Sequence, residues 1–188
     1  MSQENMEALR GVRIPLVPET RRHRSLDERI VVRFPALARL WAAWWARLPQ
    51  HSRLRRVLLL RRFRQGYAAA NRKDFDLLLT GLDPGIEYHS SEVWQIDFDP
   101  VYHGHDGYLQ VWRGVLESFE DVRLDPEELL DFGDRFLVTV KLSGHGASSG
   151  VSISQPHFQL FTLRRGLVVR QDDFQDRAEA LEAAGLSE

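Results

Sequence analysis

The side chains that can perform acid–base chemistry in this sequence are histidines and carboxylates, because the chain has seven histidines and no cysteine. An imidazole titrates near neutral pH and can act as a general base. His89 lies in the strand-like segment IEYHSSEVWQI, and Glu87 precedes it by two residues. Both side chains therefore share one face of the predicted strand, where the carboxylate orients the ring. The alternative is a histidine that lines a pocket without taking part in chemistry.

Two later segments with the alternation of strands carry further polar side chains. His157, Gln159 and Phe161 share one strand face by the two-residue period. Asp172 and Asp173 point to opposite sides of the last predicted strand, so one of them faces the interior. We take His157 and Asp173, together with His89, as the catalytic candidates. The alternative for the two aspartates is a solvated surface pair.

A metal site is the less favoured interpretation of the H-x-H-D sequence formed by His103, His105 and Asp106. Histidine and carboxylate ligands suit zinc or iron, but this segment also has the glycine and the acidic residue that begin a helix. We predict a helix start here, with no metal and no cofactor. The sequence has no G-x-S-x-G, Walker or G-x-G-x-x-G motif, which leaves serine hydrolases, nucleotide hydrolases and dinucleotide enzymes without support.

Length and composition predict a globular protein with one core. The chain has 188 residues, of which 43% are hydrophobic and 28% are charged. The absence of cysteine excludes disulfides, thiolate catalysis and cysteine-ligated metals. No stretch approaches the roughly 18 apolar residues of a membrane-spanning helix, and the opening residues do not resemble a secretory signal. We therefore expect a cytoplasmic protein.

Charge divides the chain into two parts. Residues 1–64 hold 15 arginines against 5 acidic residues, whereas residues 65–188 hold 10 basic and 22 acidic residues. We predict a basic N-terminal extension over residues 1–52 and an acidic domain over residues 53–188. Such an extension docks on the acidic domain, on an anionic lipid surface or on nucleic acid. No nucleic acid is expected, because the sequence has no helix-turn-helix, zinc-finger or RNA-recognition signature.

The extension is predicted to contain one amphipathic helix. Residues 11–34 lack sustained periodicity and are expected to form a loosely ordered arm with the strand-like run IVVRF. From Pro35, apolar residues recur at the spacing of one helix face, at Leu37, Leu40, Trp41, Trp44 and Leu48. We expect this face to pack on the acidic domain or on a partner subunit. The alternative is peripheral membrane contact by residues 35–48, since tryptophan and arginine suit a lipid interface.

The remaining elements follow from periodicity and turn residues. A helix is predicted from Ser52, with a break near Asn71, followed by a short helix that Asp74 caps. A strand, a helix around Trp112 and four consecutive strands come next, and a last helix ends at Gly185. Separate helices and consecutive antiparallel strands predict an α+β fold in which a curved sheet wraps around a long helix.

Three ordered stretches resemble the SnoaL-like branch of the nuclear transport factor 2-like, or ketosteroid isomerase-like, superfamily. They are YAAANRKDFDLLLTGLDPGIEYH, YHGHDGYLQVWRGVLESFEDVRLDPEELLDFGDRFLVTV and FTLRRGLVVRQDDFQDRAEALEAAGL, and the resemblance covers about residues 60–188. It implies a cone-shaped, curved antiparallel sheet around helices, with a deep apolar pocket for a hydrophobic small molecule. It also implies a homodimer paired through the sheet. Members include polyketide cyclases, a ketosteroid isomerase, a limonene epoxide hydrolase and dehydratases.

The resemblance also implies roles for individual residues. His89 falls at the position of the isomerase base, Gln159 falls about where the isomerase has a protonated aspartate, and Tyr67 lies near its oxyanion-hole tyrosine. A glutamine donates a hydrogen bond but is not an acid, so the isomerase mechanism does not carry over intact. The residues expected to contact the ligand are Tyr67, Glu87, Trp94, Trp112, Gln159 and Phe161.

Two functions are consistent with these residues. One is a cofactor-independent acid–base enzyme of the isomerase, cyclase, dehydratase or epoxide hydrolase type, acting on a hydrophobic substrate. The other is a non-catalytic ligand-binding or dimerisation module, which the basic extension tethers to a membrane surface or a protein partner. Two titrating groups that converge on one ligand atom favour the enzyme, whereas an apolar lining with His89 turned away favours the binding module.

Overall fold

The computed structural model describes residues 12–18, 22–49, 52–90 and 99–185, which form six helices and one seven-stranded sheet. The strands are β1 Val12–Pro15, β2 Leu82–His89, β3 Val101–His103, β4 Phe119–Asp131, β5 Arg135–Gly146, β6 Ser152–Arg164 and β7 Leu167–Phe174. The helices are α1 Leu26–Arg33, α2 Pro35–Trp45, α3 Arg53–Arg72, α4 Phe75–Leu79, α5 Gly104–Ser118 and α6 Arg177–Ala183. None of these helices is long and apolar enough to cross a membrane.

The sheet has the strand order β1-β4-β5-β6-β7-β2-β3, and every pair is antiparallel except β2 with β7. Strands β4 to β7 are therefore consecutive neighbours, as the turn residues between them predict. The pairing of β4 with β5 shifts register between Pro126 and Glu128, where the proline has no N–H to donate to the ladder. This curved, unclosed sheet with its helices confirms the predicted α+β fold.

The two faces of the sheet bury different clusters. The inner face contacts α3 and α5 and holds the main core, which includes Leu59, Ile86, Val115, Leu129 and Phe136. The outer face is covered in part by α6, where Ala180 packs with Leu137, Phe158 and Leu160. Because side chains alternate along each strand, a shift of one residue decides whether a group reaches the interior or the outer face.

Helices α3 and α4 form as the sequence predicts. Ser52 caps α3, and Lys73 ends it in the left-handed conformation with a φ of 61°. Asp74 caps α4 by accepting a hydrogen bond of 3.3 Å from the N–H of Leu77. The long helix is thereby held across the inner face, with Tyr67 buried against the sheet.

The arm before α2 differs from the prediction, because Leu26–Arg33 is a helix and the run IVVR is not a strand. The N–H of Ser25 donates a hydrogen bond of 2.8 Å to the Glu28 carboxylate and starts the helix. Glu28 is buried and also accepts a hydrogen bond of 3.2 Å from Arg72. This capping contact and tertiary pair outweigh the strand preference of the β-branched residues. The arm also supplies β1, which pairs with β4 at the sheet edge.

Arginines of the first 64 residues contact acidic side chains of the later chain. Arg13 pairs with Glu128, Arg24 with Asp74, and Arg55 with Asp131. Two of these pairs are partly exposed and only the pair of Arg55 with Asp131 is fully buried. Arg13 and Arg24 of the predicted extension therefore contact acidic side chains of the domain, whereas Arg55 lies within the domain itself.

The apolar face predicted for α2 does not pack on the acidic domain as expected. Four of its residues are 47–68% exposed, namely Leu37, Leu40, Trp41 and Trp44, while Leu48 packs against the core. The buried residues of α2 are Ala42 and Trp45. The backbone of α2 approaches the β6–β7 turn closely, since a Cβ on Gly166 would lie 2.3 Å from the carbonyl oxygen of Ala42. The helix therefore buries the side that carries Ala42 and Trp45, and the four residues of the predicted face point outwards.

Candidate functional site

A cavity with a volume of about 100 Å³ lies between α3, α5 and the inner face of the sheet. Its walls are largely apolar and include Phe63, Leu77, Val111, Trp112, Val115 and Phe161. A few polar side chains also line it, among them Tyr67, Gln159, Gln171 and Asp173. Apolar walls with a small number of placed polar groups are typical of a small-molecule site.

Asp173 is the centre of the polar side of the cavity. Its Oδ2 atom accepts a hydrogen bond of 2.6 Å from the Tyr88 hydroxyl and lies 3.2 Å from Nε2 of His157. Its Oδ1 atom accepts hydrogen bonds from the amides of Gln159 at 3.2 Å and Gln171 at 2.9 Å. All five residues are buried. A buried carboxylate with this many donors is compensated for the loss of water and held in one position.

The carboxylate of Asp173 also fixes the orientation of both glutamines. Because a carboxylate only accepts hydrogen bonds, each amide turns its NH₂ group to Asp173 and its oxygen away. The oxygen of Gln159 accepts a hydrogen bond of 2.7 Å from Tyr67, and that of Gln171 accepts one of 3.1 Å from Tyr108. Each phenol has one proton, which these bonds use. Toward a ligand, the two tyrosine oxygens therefore present lone pairs.

Burial and charge set the protonation states of this network. Burial alone raises the pKa of Asp173, but the positive charge of His157 and the hydrogen bonds of its neighbours outweigh burial, so the pKa lies below its ordinary value. Burial and the negative charge of Asp173 hold the pKa of Tyr67 well above its ordinary value. Burial is also the main cause of the raised pKa of Tyr108. At neutral pH, Asp173 is a carboxylate and both tyrosines are phenols.

The structure brings together most of the residues that the sequence singled out. Tyr67, Trp112, Gln159, Phe161 and Asp173 all line the cavity. His157 lies behind Asp173 with no exposed surface, so it acts on the carboxylate and not on the cavity itself. Trp94 lies outside the described residues.

The placement of His89 and Glu87 in the pocket is incorrect, because both lie on the outer face of the sheet. Ile86 and Tyr88 carry the buried side of β2, so alternation turns Tyr88 into the interior and its neighbours outwards. The imidazole of His89 lies 3.8 Å from Asp172 through Nδ1 and 3.6 Å from Glu87 through Nε2. An imidazole on this face does not reach a ligand in the cavity, so His89 is not the base of this site.

Three members of the network were not predicted from the sequence, namely Tyr88, Tyr108 and Gln171. For two of them, the spacing to a predicted site residue indicates a shared face. Gln171 precedes Asp173 by two residues on the same strand face, and Tyr108 precedes Trp112 by four residues on one face of α5. Arg62 also lines the cavity, but the sequence does not distinguish it from the other arginines of α3.

The H-x-H-D segment begins a helix, as predicted. His103 precedes α5 and is exposed, and Nε2 of His105 lies 3.3 Å from the carbonyl oxygen of Leu82. Within the described ranges, no group of three or more histidine, cysteine, aspartate or glutamate side chains is arranged to hold a metal ion.

The curved sheet, the helices inside it and the apolar cavity with a polar network define the cone-shaped α+β class of nuclear transport factor 2-like proteins. A sequence profile of the SnoaL-like domain matches residues 63–171. Because this match covers more than half of the chain, the protein belongs to the SnoaL-like family. No match is found among curated proteins.

Solved structures share this fold at low sequence identity. A nuclear transport factor 2-like protein of unknown function from Burkholderia pseudomallei is 24% identical, with a TM-score of 0.57 over 65% of this chain and 94% of that one. TerC, co-crystallised with polyporic acid, is 22% identical, with a TM-score of 0.56 over 68% and 98%. A protein with a ketosteroid isomerase-like fold from Catenulispora acidiphila, in complex with trimethylamine, is 16% identical, with a TM-score of 0.53 over 65% and 90%. Two of these three structures therefore contain a small molecule.

Proposed function

We propose that the cavity binds a small hydrophobic molecule that carries a hydroxyl or another hydrogen-bond donor. The observation that carries this proposal is the polarity of the network, in which Asp173 orients two glutamines so that Tyr67 and Tyr108 are left as acceptors. Burial of apolar surface supplies the binding free energy, and the two acceptors select the polar group of the ligand.

The size of the cavity limits the ligand. Its volume of about 100 Å³ is below the roughly 150 Å³ of an engineered cavity that binds benzene. A ligand that enters without rearrangement of the walls is therefore smaller than benzene, and a single-ring ligand needs a small movement of the lining side chains. Larger ring systems need movement of the side chains or helices that close the cavity.

Titration with phenol and toluene tests the proposal, because the two molecules are similar in size and differ in one hydrogen-bond donor. We expect phenol to bind about 2- to 10-fold more tightly than toluene, as one net hydrogen bond allows. Tyr67→Phe removes one acceptor and is expected to reduce this preference while toluene binding stays the same. Chemical-shift changes in NMR titrations measure both affinities. Equal affinity of the wild type for both probes, or no binding of either, contradicts the proposal.

Acid–base chemistry is the second candidate function, and the presence of an ionised carboxylate, Asp173, on the cavity wall favours it. Its lowered pKa makes this group a weak base, which is why binding is the first candidate. Cyclohexanone in D₂O separates the two. Faster deuterium incorporation beside the carbonyl with the wild type than with Asp173→Asn supports proton transfer, whereas equal rates leave a binding site without this chemistry.

We also propose that the N-terminal extension, residues 1–52, uses its exposed apolar face to contact an anionic membrane surface. Beside the exposed side chains of α2, Leu26, Ile30 and Phe34 are 50–78% exposed. Trp41 and Trp44 stack with ring centroids 4.9 Å apart, and the arginines at 29, 33, 39 and 47 of the same segment are exposed. Tryptophan rings suit the headgroup region and arginines suit anionic lipid. A homodimer paired through the sheet and a cytoplasmic location stay predictions.

Binding to lipid vesicles tests the membrane proposal. We expect the protein to co-sediment with vesicles that contain phosphatidylserine, more weakly with phosphatidylcholine alone, and less as salt screens the arginines. Trp41→Ala with Trp44→Ala is expected to lower the partition by about tenfold or more, because two interfacial rings are lost. Val151→Ala removes an exposed apolar side chain elsewhere and serves as the control. A double variant that binds like the wild type shows that this face contacts something other than lipid.

A further inference from the structure

Arg62 occupies a position that connects the cavity with the surface. It lines the cavity together with Gln65 and Gly66, and it also lines a groove under α2 that is formed with Trp41 and Trp45. Its side chain is partly buried. A ligand that enters from this groove passes the guanidinium before it reaches the apolar walls.

The guanidinium fits against the turn that joins α4 to β2. A Cβ on Gly81 would lie 2.7 Å from Nη2 of Arg62, so the absence of a side chain at residue 81 provides the space for this group. The backbone of Gly81 is itself fixed, because its N–H donates to Leu78 and its carbonyl accepts from Val168. Arg62 is therefore placed by packing and not by an ion pair.

Arg62 has no acidic partner within the part of the chain that the structure describes. Its neighbours in sequence and on the same helix are paired, with Asp27 close to Arg61, Asp131 close to Arg55 and Glu28 close to Arg72. Burial lowers the pKa of Arg62 to about 10, and no carboxylate opposes that effect. The group still carries its full positive charge at neutral pH. A partly buried cation without a counter-ion is costly, and an incoming anion relieves the cost.

We infer that Arg62 binds a carboxylate of the ligand at the entrance of the cavity. This inference rests on the proposed ligand-binding function and specifies its substrate class, a small ring compound with an acidic group. A guanidinium matches a carboxylate with two parallel hydrogen bonds, and the low polarity around it strengthens the attraction. Arg62 and Tyr67 are five residues apart on α3, a rise of about 7.5 Å along the helix. Both side chains line the cavity, so one ligand can contact Arg62 with its carboxylate and Tyr67 with its donor group.

Benzoate and benzamide test this inference at pH 7, because they have the same shape and differ in charge. We expect the wild type to bind benzoate about tenfold or more tightly than benzamide, as a charge-assisted pair allows. Arg62→Met is expected to abolish the preference by weakening benzoate alone, and Arg62→Lys to keep part of it. Arg56→Met, which removes an exposed arginine of the same helix, is the control and is expected to leave both affinities unchanged.

The outcomes separate this inference from the proposed function. Benzamide binding with no preference for benzoate in the wild type overturns the role of Arg62 and leaves the binding site standing. A preference for benzoate that persists in Arg62→Met also overturns it. If neither probe binds the wild type, both the binding site and the carboxylate are contradicted. A thermal melt of Arg62→Met confirms that the variant is folded, and we expect no loss of stability because no ion pair is broken.

Discussion

Arg55→Met is expected to lower the free energy of unfolding by about 3–5 kcal/mol, because it removes the cation from a buried ion pair. The side chains of the pair are 5% and 3% exposed, and Nη1 of Arg55 lies 2.6 Å from Oδ2 of Asp131. Arg55 also donates to the carbonyl oxygen of Gly133 and lies 5.5 Å from the ring centroid of Phe136. The Arg55 side chain therefore connects the start of α3 with the β4–β5 connection. Urea denaturation at pH 7 measures the loss.

Two further variants identify the cause of this loss. Arg55→Met combined with Asp131→Leu removes both charges, and we expect it to recover much of the stability because no uncompensated charge stays buried. Arg123→Met breaks the pair of Arg123 with Asp125, which is 49% and 27% exposed, and is expected to cost no more than about 1 kcal/mol. A double variant as unstable as Arg55→Met alone assigns the effect to lost packing and not to charge.

The fold was predictable from the sequence because its signals are local and repeated. The N-cap residues Ser52 and Asp74 and the turns between the last four strands each specify the backbone nearby. The ordered motifs of the SnoaL-like family then place these elements in one topology. The run IVVR failed as a strand because one capping contact and one buried pair, both made by Glu28, decided its conformation.

The candidate site was predictable only where the two-residue period of a strand assigned the correct face. Gln159 and Phe161 share one face by this period and both line the cavity, although β6 is buried on both sides here. The resemblance placed His89 on the pocket side of its strand, whereas the strand register in the structure differs by one residue. A one-residue shift moves a side chain to the other face of the sheet. The exposed face of α2 was not predictable either, since the helix period identifies an apolar face but not what covers it.

Asp173 stabilises the fold because its carboxylate accepts the hydrogen bonds that its buried neighbours donate. We expect Asp173→Asn to lower the free energy of unfolding by about 3 kcal/mol at pH 7, because it replaces one accepting oxygen by an NH₂ group that faces the donors of neighbouring side chains. Asp172→Asn, one residue away on the outer face, breaks the pair with Arg170 and is expected to cost less, about 1–2 kcal/mol, because the Arg170 side chain is partly exposed to water.

The pH dependence of the same variant tests whether charge is the cause. The pKa of Asp173 is lower in the folded protein than its ordinary value near 3.9, so its contribution is fully present above that value. As the pH falls through the folded pKa, the wild type loses this contribution, whereas Asp173→Asn has no carboxylate to protonate. We therefore expect the two unfolding curves to differ at pH 7 and to converge below about pH 4. A difference that stays constant down to pH 3 would show that shape and hydrogen bonding, and not the ionised carboxylate, hold the network together.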